Sequence, residues 1–91
     1  PDSKMFANVK EHYKQELENM LANKHGMSIG DLARNYDRMN FTHSIRVRLL
    51  NAYRDAVNIY SPIGVERLAE ELGISENNLR SKIKQLERKC N

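Results

Sequence analysis

Apolar residues recur at steps of three and four along most of this chain, which is the spacing of one face of an α-helix. The first such stripe lies near the N-terminus and comprises Met5, Val9, Tyr13, Leu17, Met20 and Leu21. Asp2 or Ser3 can cap the start of this helix, and glycine, here Gly26, commonly ends one. The pattern therefore predicts a first helix that ends near Gly26 and buries one face.

A shorter helix is predicted to follow Gly26. Ser28 and Asp31 have the spacing of a capping box, in which the side chain of each residue satisfies a backbone N–H of the other. The apolar or small positions of this second helix are Leu32, Ala33 and Tyr36. A polar segment, residues 37–42, then separates it from the next helix.

The segment from residue 43 to residue 60 carries an apolar face too wide for a helix on the surface. Its apolar residues are Ile45, Leu49, Leu50, Ala52, Tyr53, Ala56, Val57 and Tyr60. We predict that this segment is the central helix and packs against other helices on more than one side. Ser61 is expected to cap the next helix, and Pro62 to occupy its first turn, where proline is tolerated.

Residues 62–89 have the pattern of two helices joined by a tight turn. Gly73 can adopt the positive φ that ends the first helix, and Ser75 can cap the second. The apolar or small positions are Leu68, Ala69, Leu72, Ile74, Leu79 and Ile83. With Gly73 four positions after Ala69, this is the spacing of a helix-turn-helix.

The helical patterns account for nearly the whole chain, and no alternating apolar and polar run is long enough to predict a β-strand. We therefore predict one all-α domain over residues 1–91, with about five helices. Residues 1–60 are expected to form a helical scaffold and a dimer interface. Residues 61–91 are expected to form the helix-turn-helix.

The positive charge is concentrated in the last predicted helix. Residues 1–75 contain ten Lys or Arg and ten Asp or Glu, whereas residues 76–91 contain five against two. The net charge of +3 therefore comes from the final helix. Cations placed in this way suit the phosphates of nucleic acid.

The second helix of the motif carries the candidate DNA-binding residues. Asn77, Asn78 and Arg80 have side chains that can hydrogen-bond to base edges, Asn to adenine and Arg to guanine. Hydroxyl groups and cations suit phosphate oxygens, and these candidates are Ser75, Ser81, Lys82, Lys84, Arg88 and Lys89. The face expected to enter the groove comprises Asn77, Asn78, Arg80, Ser81 and Lys84.

The motif resembles the C-terminal helix-turn-helix of the Fis family, which includes factor for inversion stimulation and NtrC-type activators. The similarity covers about a fifth of the chain and lies in Ala69, Leu72-Gly73-Ile74-Ser75, Asn78-Leu79-Arg80, Lys82-Ile83-Lys84 and Leu86. It implies upstream helices that dimerise and a final helix that enters the major groove of DNA. The chain departs from that family at Pro62, at the single Ala69 and at Glu76, where the family commonly has arginine.

A weaker similarity is to AraC-type regulators, which carry two helix-turn-helix units joined by a long helix. It lies in Arg48, Leu49 and Ala52. Consistent with two units, residues 21–34 and 68–81 share Leu-Ala-x-x-x-Gly, followed by Met or Ile and then Ser. In the first copy, however, His25 occupies a position expected to be apolar, and Gly30 and Asp31 begin the second helix.

A different register of the N-terminal half is also open. Residues 27–37 could be the supporting helix, and residues 41–48 could begin the recognition helix. That register would bring Arg46 and Arg48 near DNA. Otherwise the N-terminal half is scaffold.

A chain of 91 residues is short enough that a second copy could complete its core. We therefore predict a homodimer that binds double-stranded DNA. The candidate dimer surface comprises Met5, Phe6, Val9, Tyr13 and Leu17. The alternative surface comprises Phe41, Ile45 and Leu49.

Other chemistry is weakly represented in the sequence. His12, His25, His43 and Cys90 lack the spacing of metal ligands, and no glycine-rich phosphate loop or nucleophile motif occurs. We therefore predict a protein that is not an enzyme and has no cofactor, metal or small-molecule ligand. No apolar run approaches the roughly 18 residues of a membrane span, and no leader precedes the first helix, so a cytoplasmic location is expected.

Two functions remain after these exclusions. The first is sequence-dependent binding of double-stranded DNA by a bacterial or phage regulator of transcription or nucleoid structure. The alternative is a helical protein–protein interaction module, such as an adaptor or accessory domain, whose basic C-terminal helix binds an acidic partner. DNA binding is favoured because motif spacing, capping and charge placement agree.

Overall fold

The computed structural model describes residues 2–38 and 40–90, with side chains from Val9 onward. This part of the chain contains five α-helices and no strand, which confirms the predicted fold class. The helices are α1 Asp2–Met20, α2 Ile29–Tyr36, α3 His43–Asn58, α4 Gly64–Leu72 and α5 Glu76–Cys90. A π-helical turn, Leu21–His25, extends α1.

The predicted end of the first helix at Gly26 and the predicted start of α2 are confirmed, whereas Asp2 and Ser3, predicted to cap the first helix, both lie within α1. Gly26 has φ of 62° and ends the π-helical turn, and its N–H donates to the Leu21 carbonyl. The Ser28 hydroxyl accepts from the Asp31 N–H at 3.0 Å, while the Asp31 carboxylate accepts from the Ser28 N–H at 2.9 Å. This reciprocal pair is the capping box expected for α2.

Helix α3 is the centre of the fold, as predicted, and packs against α4, α5 and the π-helical turn. Its buried residues are Leu49, Leu50, Ala52, Tyr53 and Ala56. Two members of its expected apolar face are instead exposed, Ile45 by 41% and Tyr60 by 37%. Ile45 lies in the first turn of α3, and Tyr60 follows the end of the helix, so neither lies within its packed middle.

Two buried tyrosines tie the other helices to this centre. The Tyr13 hydroxyl on α1 lies 3.0 Å from the Ala56 carbonyl and 3.3 Å from the Gly64 carbonyl. The Tyr53 hydroxyl on α3 donates to the Leu32 carbonyl of α2 at 2.9 Å. Burial raises the pKa of both phenols, so they stay protonated and act as donors.

The predicted start of α4 is wrong. The helix begins at Gly64 rather than near Ser61 and Pro62, and no side chain caps it. Two successive turns fill the connection, with the Ser61 N–H donating to Asn58 and the Ile63 N–H to Tyr60. At Gly64, the first residue of α4, the backbone passes so close to the end of α3 that a side chain would not fit.

Three of the six described residues of the predicted dimer surfaces belong to the protein's own core. Tyr13, Leu17 and Leu49 are buried within the single chain, so these three assignments were wrong. The side chains of Met5 and Phe6 lie outside the described residues. The exposed members are Val9 and Ile45, while Phe41 is half-buried.

Candidate nucleic-acid interface

Helices α4 and α5 are joined by the tight turn that the sequence predicts between them. Gly73 ends α4 with φ of 71°, and the Ile74 N–H donates to the Ala69 carbonyl at 3.0 Å. The Ser75 hydroxyl accepts from the Asn78 N–H at 3.1 Å, which confirms the predicted cap of α5. The core of the motif comprises the buried residues Leu68, Ala69, Leu79 and Leu86.

The outward face of α5 is polar and basic. The four outermost residues of α5 are Asn77, Ser81, Lys84 and Arg88, and all four are exposed. They follow one another at steps of four, three and four. At 100° per residue these positions fall on one side of the helix, opposite the buried Leu79 and Leu86. This arrangement leaves two hydrogen-bonding side chains and two cations open to a partner.

Arg80 lies on one flank of this face and has an acidic neighbour. Its guanidinium is 3.5 Å from the Glu76 carboxylate, one turn earlier on α5. On the same flank, Glu87 lies 3.4 Å from Arg54 of α3. Both guanidinium groups on this side are therefore balanced by a carboxylate.

Lys82 lies on the other flank and is half-buried, rather than on the outward face with Ser81, Lys84 and Arg88. Its ammonium group is 5.3 Å from the centre of the Tyr36 ring on α2. Burial lowers the pKa of Lys82, and Lys89 acts in the same direction, while Asp37 opposes the shift. Lys82 therefore belongs to a cleft between α5 and α2.

This cleft consists of two adjoining cavities that share Lys82 and Gln85. The larger, about 260 Å³, is lined by Tyr36, Asp37, Asn78, Ser81, Lys82 and Gln85. The narrower is lined by Arg38, Phe41, Arg46, Lys82, Gln85, Leu86 and Lys89. Arg38 was missed by sequence reasoning because it lies in a polar connection outside any helical pattern.

The first glycine turn shares with the second a glycine of positive φ and a serine cap on the following helix, but it differs in its chemistry. His25, 10% exposed, is accommodated at the expected apolar position because its Nε2 lies 2.7 Å from the Asp55 carboxylate. Lys24 also reaches Asp55, at 2.9 Å. On α2, Arg34 pairs with Asp31, so the surface after this turn is balanced in charge.

The two arginines of the alternative register contact backbone carbonyls. Arg46 donates to Phe41 at 3.3 Å and to Lys89 at 3.4 Å, and Arg48 donates to His25 at 3.1 Å. Arg46 thereby joins the start of α3 to the end of α5. These contacts place Arg46 beside the predicted recognition helix and Arg48 beside the first glycine turn.

Comparison of the chain with family models, curated proteins and solved structures finds no match. No helix in the described part of the chain is both long and apolar enough to cross a membrane. Among the same residues, no group of three or more His, Cys, Asp or Glu could hold a metal ion. The physical character of the α5 surface is therefore the basis for a functional proposal.

Proposed function

We propose that this protein binds double-stranded DNA by placing α5 in the major groove. The observation that carries the proposal is the exposed line of Asn77, Ser81, Lys84 and Arg88, which contains no carboxylate. A helix with this surface fits the width of the major groove and can contact both bases and phosphates. The rigid turn from α4 would hold it in place.

Base contacts would come from the first two turns of α5. Asn77 and Asn78 are exposed, and a side-chain amide can bond an adenine edge at two points. Arg80 is available as well, because its exposed pair with Glu76 is worth only about 0.3–0.5 kcal/mol. A guanine edge can therefore replace Glu76 as the partner of Arg80.

Phosphate contacts would come from the hydroxyl groups of Ser75 and Ser81 and from Lys84, Arg88 and Lys89, all exposed. These contacts give affinity that depends on salt and not on sequence. Two copies of the chain, acting as a homodimer, would place two α5 helices in successive major grooves about 34 Å apart. The expected target is a palindromic operator, and the expected role is that of a bacterial or phage regulator of transcription or nucleoid structure.

The test is fluorescence anisotropy on a mixed-sequence duplex over a range of salt concentrations. Arg80→Ala and Lys84→Ala should each weaken binding, and Lys84→Ala should reduce the salt slope by about one phosphate contact. Lys14→Ala is the matched control, since Lys14 is exposed on α1 near Glu11 and Glu18. Unchanged duplex binding by both α5 variants would show that α5 is not the recognition helix.

The alternative of a protein-interaction module is supported by one feature, an apolar groove on the Arg80 flank. It has a volume of about 260 Å³ and is lined by Val57, Val65, Arg80, Ile83, Lys84 and Glu87. Such a groove fits an amphipathic helix with acidic residues that meet Arg80 and Lys84. Val65→Gln adds a polar group to the groove without changing the charge, so it would weaken that binding but leave duplex binding intact, which separates the two functions.

A further inference from the structure

The narrower cavity beside α5 brings together four cations from three parts of the fold. Arg38 comes from the α2–α3 connection, Arg46 from α3, and Lys82 and Lys89 from α5. We call these four residues the basic cleft. Its remaining walls are Phe41, Gln85 and Leu86.

Three of the four cations of the basic cleft contact aromatic rings or carbonyl groups. The Arg38 guanidinium lies 5.5 Å from the centre of the Phe41 ring, and Lys82 lies 5.3 Å from that of Tyr36. Arg46 donates to the carbonyl of Lys89 at 3.4 Å. Rings and carbonyls orient a cation without neutralising it, so the positive charge remains available to an anion.

Carboxylates do not offset this charge directly. Within the described residues, none of the four cations forms an ion pair. Asp37 acts on Lys82 electrostatically and lines the adjoining cavity with it. The Nε of Arg46 is buried, and no acceptor among the described residues reaches it.

The two flanks of α5 therefore differ in charge. On the far flank, Arg80 and Arg54 are each paired with a glutamate, Glu76 and Glu87. On the cleft flank, the two cavities are lined by four cations and, among the described residues, by one carboxylate, that of Asp37. A polyanion that approaches the outward face of α5 would be attracted towards the cleft side.

Helical geometry places the cleft next to the proposed DNA-binding face. Asn78, Lys82, Gln85 and Lys89 follow one another at steps of four, three and four, as do the outward residues. Each of these residues directly follows an outward residue in the sequence, so it lies about 100° further around the axis of α5. If α5 lies in the major groove, the basic cleft therefore faces the sugar-phosphate backbone that forms one wall of that groove.

We infer that the basic cleft binds a backbone phosphate of the DNA duplex, so that the sugar-phosphate strand crosses α5 on the side of α2. This inference rests on the proposed function and extends it to Arg38 and Arg46, outside the helix-turn-helix. A phosphate there would accept hydrogen bonds from Arg38 and Lys82, and the contact would be independent of base sequence.

Two neighbouring substitutions with opposite charge effects test the inference. Arg38→Gln should weaken binding to every duplex and reduce the magnitude of the salt slope by about 0.9. Between 50 and 200 mM salt, the variant should then lose about 3.5-fold less affinity than the wild type. Asp37→Asn should strengthen binding, since it removes the carboxylate beside Lys82.

The measurement is anisotropy on two duplexes of different sequence, with thermal melts to show that each variant is folded. Lys14→Gln is the control and should bind like the wild type. If Arg38→Gln and Asp37→Asn both keep the wild-type affinity and salt slope while Lys84→Ala loses affinity, α5 binds DNA without the cleft and the inference is overturned. Absence of duplex binding by the wild type would overturn the proposed function and the inference together.

Discussion

The backbone of Gly64 passes so close to α3 that a Cβ atom at this position would lie 2.1 Å from the carbonyl oxygen of Val57. The carbonyl oxygen of Ile59 would be 2.6 Å from the same atom. Because both neighbours are backbone atoms, neither can turn aside as a side chain could. We expect Gly64→Ala to destabilise the fold by about 1–3 kcal/mol, the usual cost of overpacking a core, measured by chemical denaturation.

Gly30→Ala is the matched control. Gly30 lies in the first turn of α2, and its added Cβ would meet only the ends of the Arg34 and Ser28 side chains, at 3.4 and 3.5 Å. Alanine favours helix over glycine by roughly 0.5–1 kcal/mol, so this variant should be at least as stable as the wild type. A Gly64→Ala protein as stable as Gly30→Ala would contradict the close approach of α3 and α4.

We expect the buried hydroxyl groups of Tyr13 and Tyr53 to stabilise the fold through the hydrogen bonds that they donate. Tyr13→Phe leaves the carbonyls of Ala56 and Gly64 without this donor, and Tyr53→Phe does the same to Leu32. Each substitution should lower the free energy of unfolding by about 1–2 kcal/mol.

The control for these two variants is Tyr60→Phe. Tyr60 is exposed, and phenylalanine retains its ring contact with Tyr13, at 6.3 Å, while it loses only an exposed hydrogen bond with Glu16. Its stability should stay within about 0.5 kcal/mol of the wild type. Equal losses in all three variants would argue against specific buried hydrogen bonds.

Local sequence signals predicted the fold well because they act within one helical turn. The Ser28–Asp31 capping box and the Ser75 cap depend on residues three positions apart, and both are present. At the start of α4, Gly64 lies close to Val57, seven residues away, and spacing alone did not predict this contact. Ser61 therefore appeared to be a cap, although α4 starts three residues later.

The residues of the candidate site also fall into two groups, those that local spacing predicted and those whose position depends on how the helices pack. Helical periodicity placed Asn77, Ser81 and Lys84 on the outward face, and these residues are exposed as predicted. Periodicity did not show that Lys82 faces α2, since that depends on how the helices pack. Arg38 carried no sequence signal because its position beside α5 results from the path of the α2–α3 connection.

We expect the ionisation of the Asp55 carboxyl group to make the free energy of unfolding depend on pH in the acid range. Burial alone would raise its pKa, but hydrogen bonds from Lys24 and His25 outweigh burial and hold the pKa below its usual value. A lowered pKa in the folded protein means that the contribution is complete above about pH 5 and is lost as the pH falls through the folded pKa. The melting temperature should therefore fall more between pH 7 and pH 3 in the wild type than in Asp55→Asn.

Other carboxylates also titrate in this range, so the Asp55 effect must be taken as a difference between variants. Glu18→Gln removes an exposed carboxylate on α1 and is the matched control. It should keep the pH dependence of the wild type. An identical fall in melting temperature for Asp55→Asn and the wild type would show that the contacts with Lys24 and His25 do not stabilise the folded state.

Ser75 has two expected roles, and one substitution can separate them. Its hydroxyl accepts from the Asn78 N–H at the start of α5, and the proposed function also places it near a phosphate. Ser75→Ala should cost about 1 kcal/mol of stability through loss of the cap. Ser75→Asp keeps a good capping group and should preserve stability, but its negative charge would repel phosphate and weaken duplex binding. Thermal melts and anisotropy measure the two effects, and normal duplex binding by Ser75→Asp would place the N-terminus of α5 away from the DNA backbone.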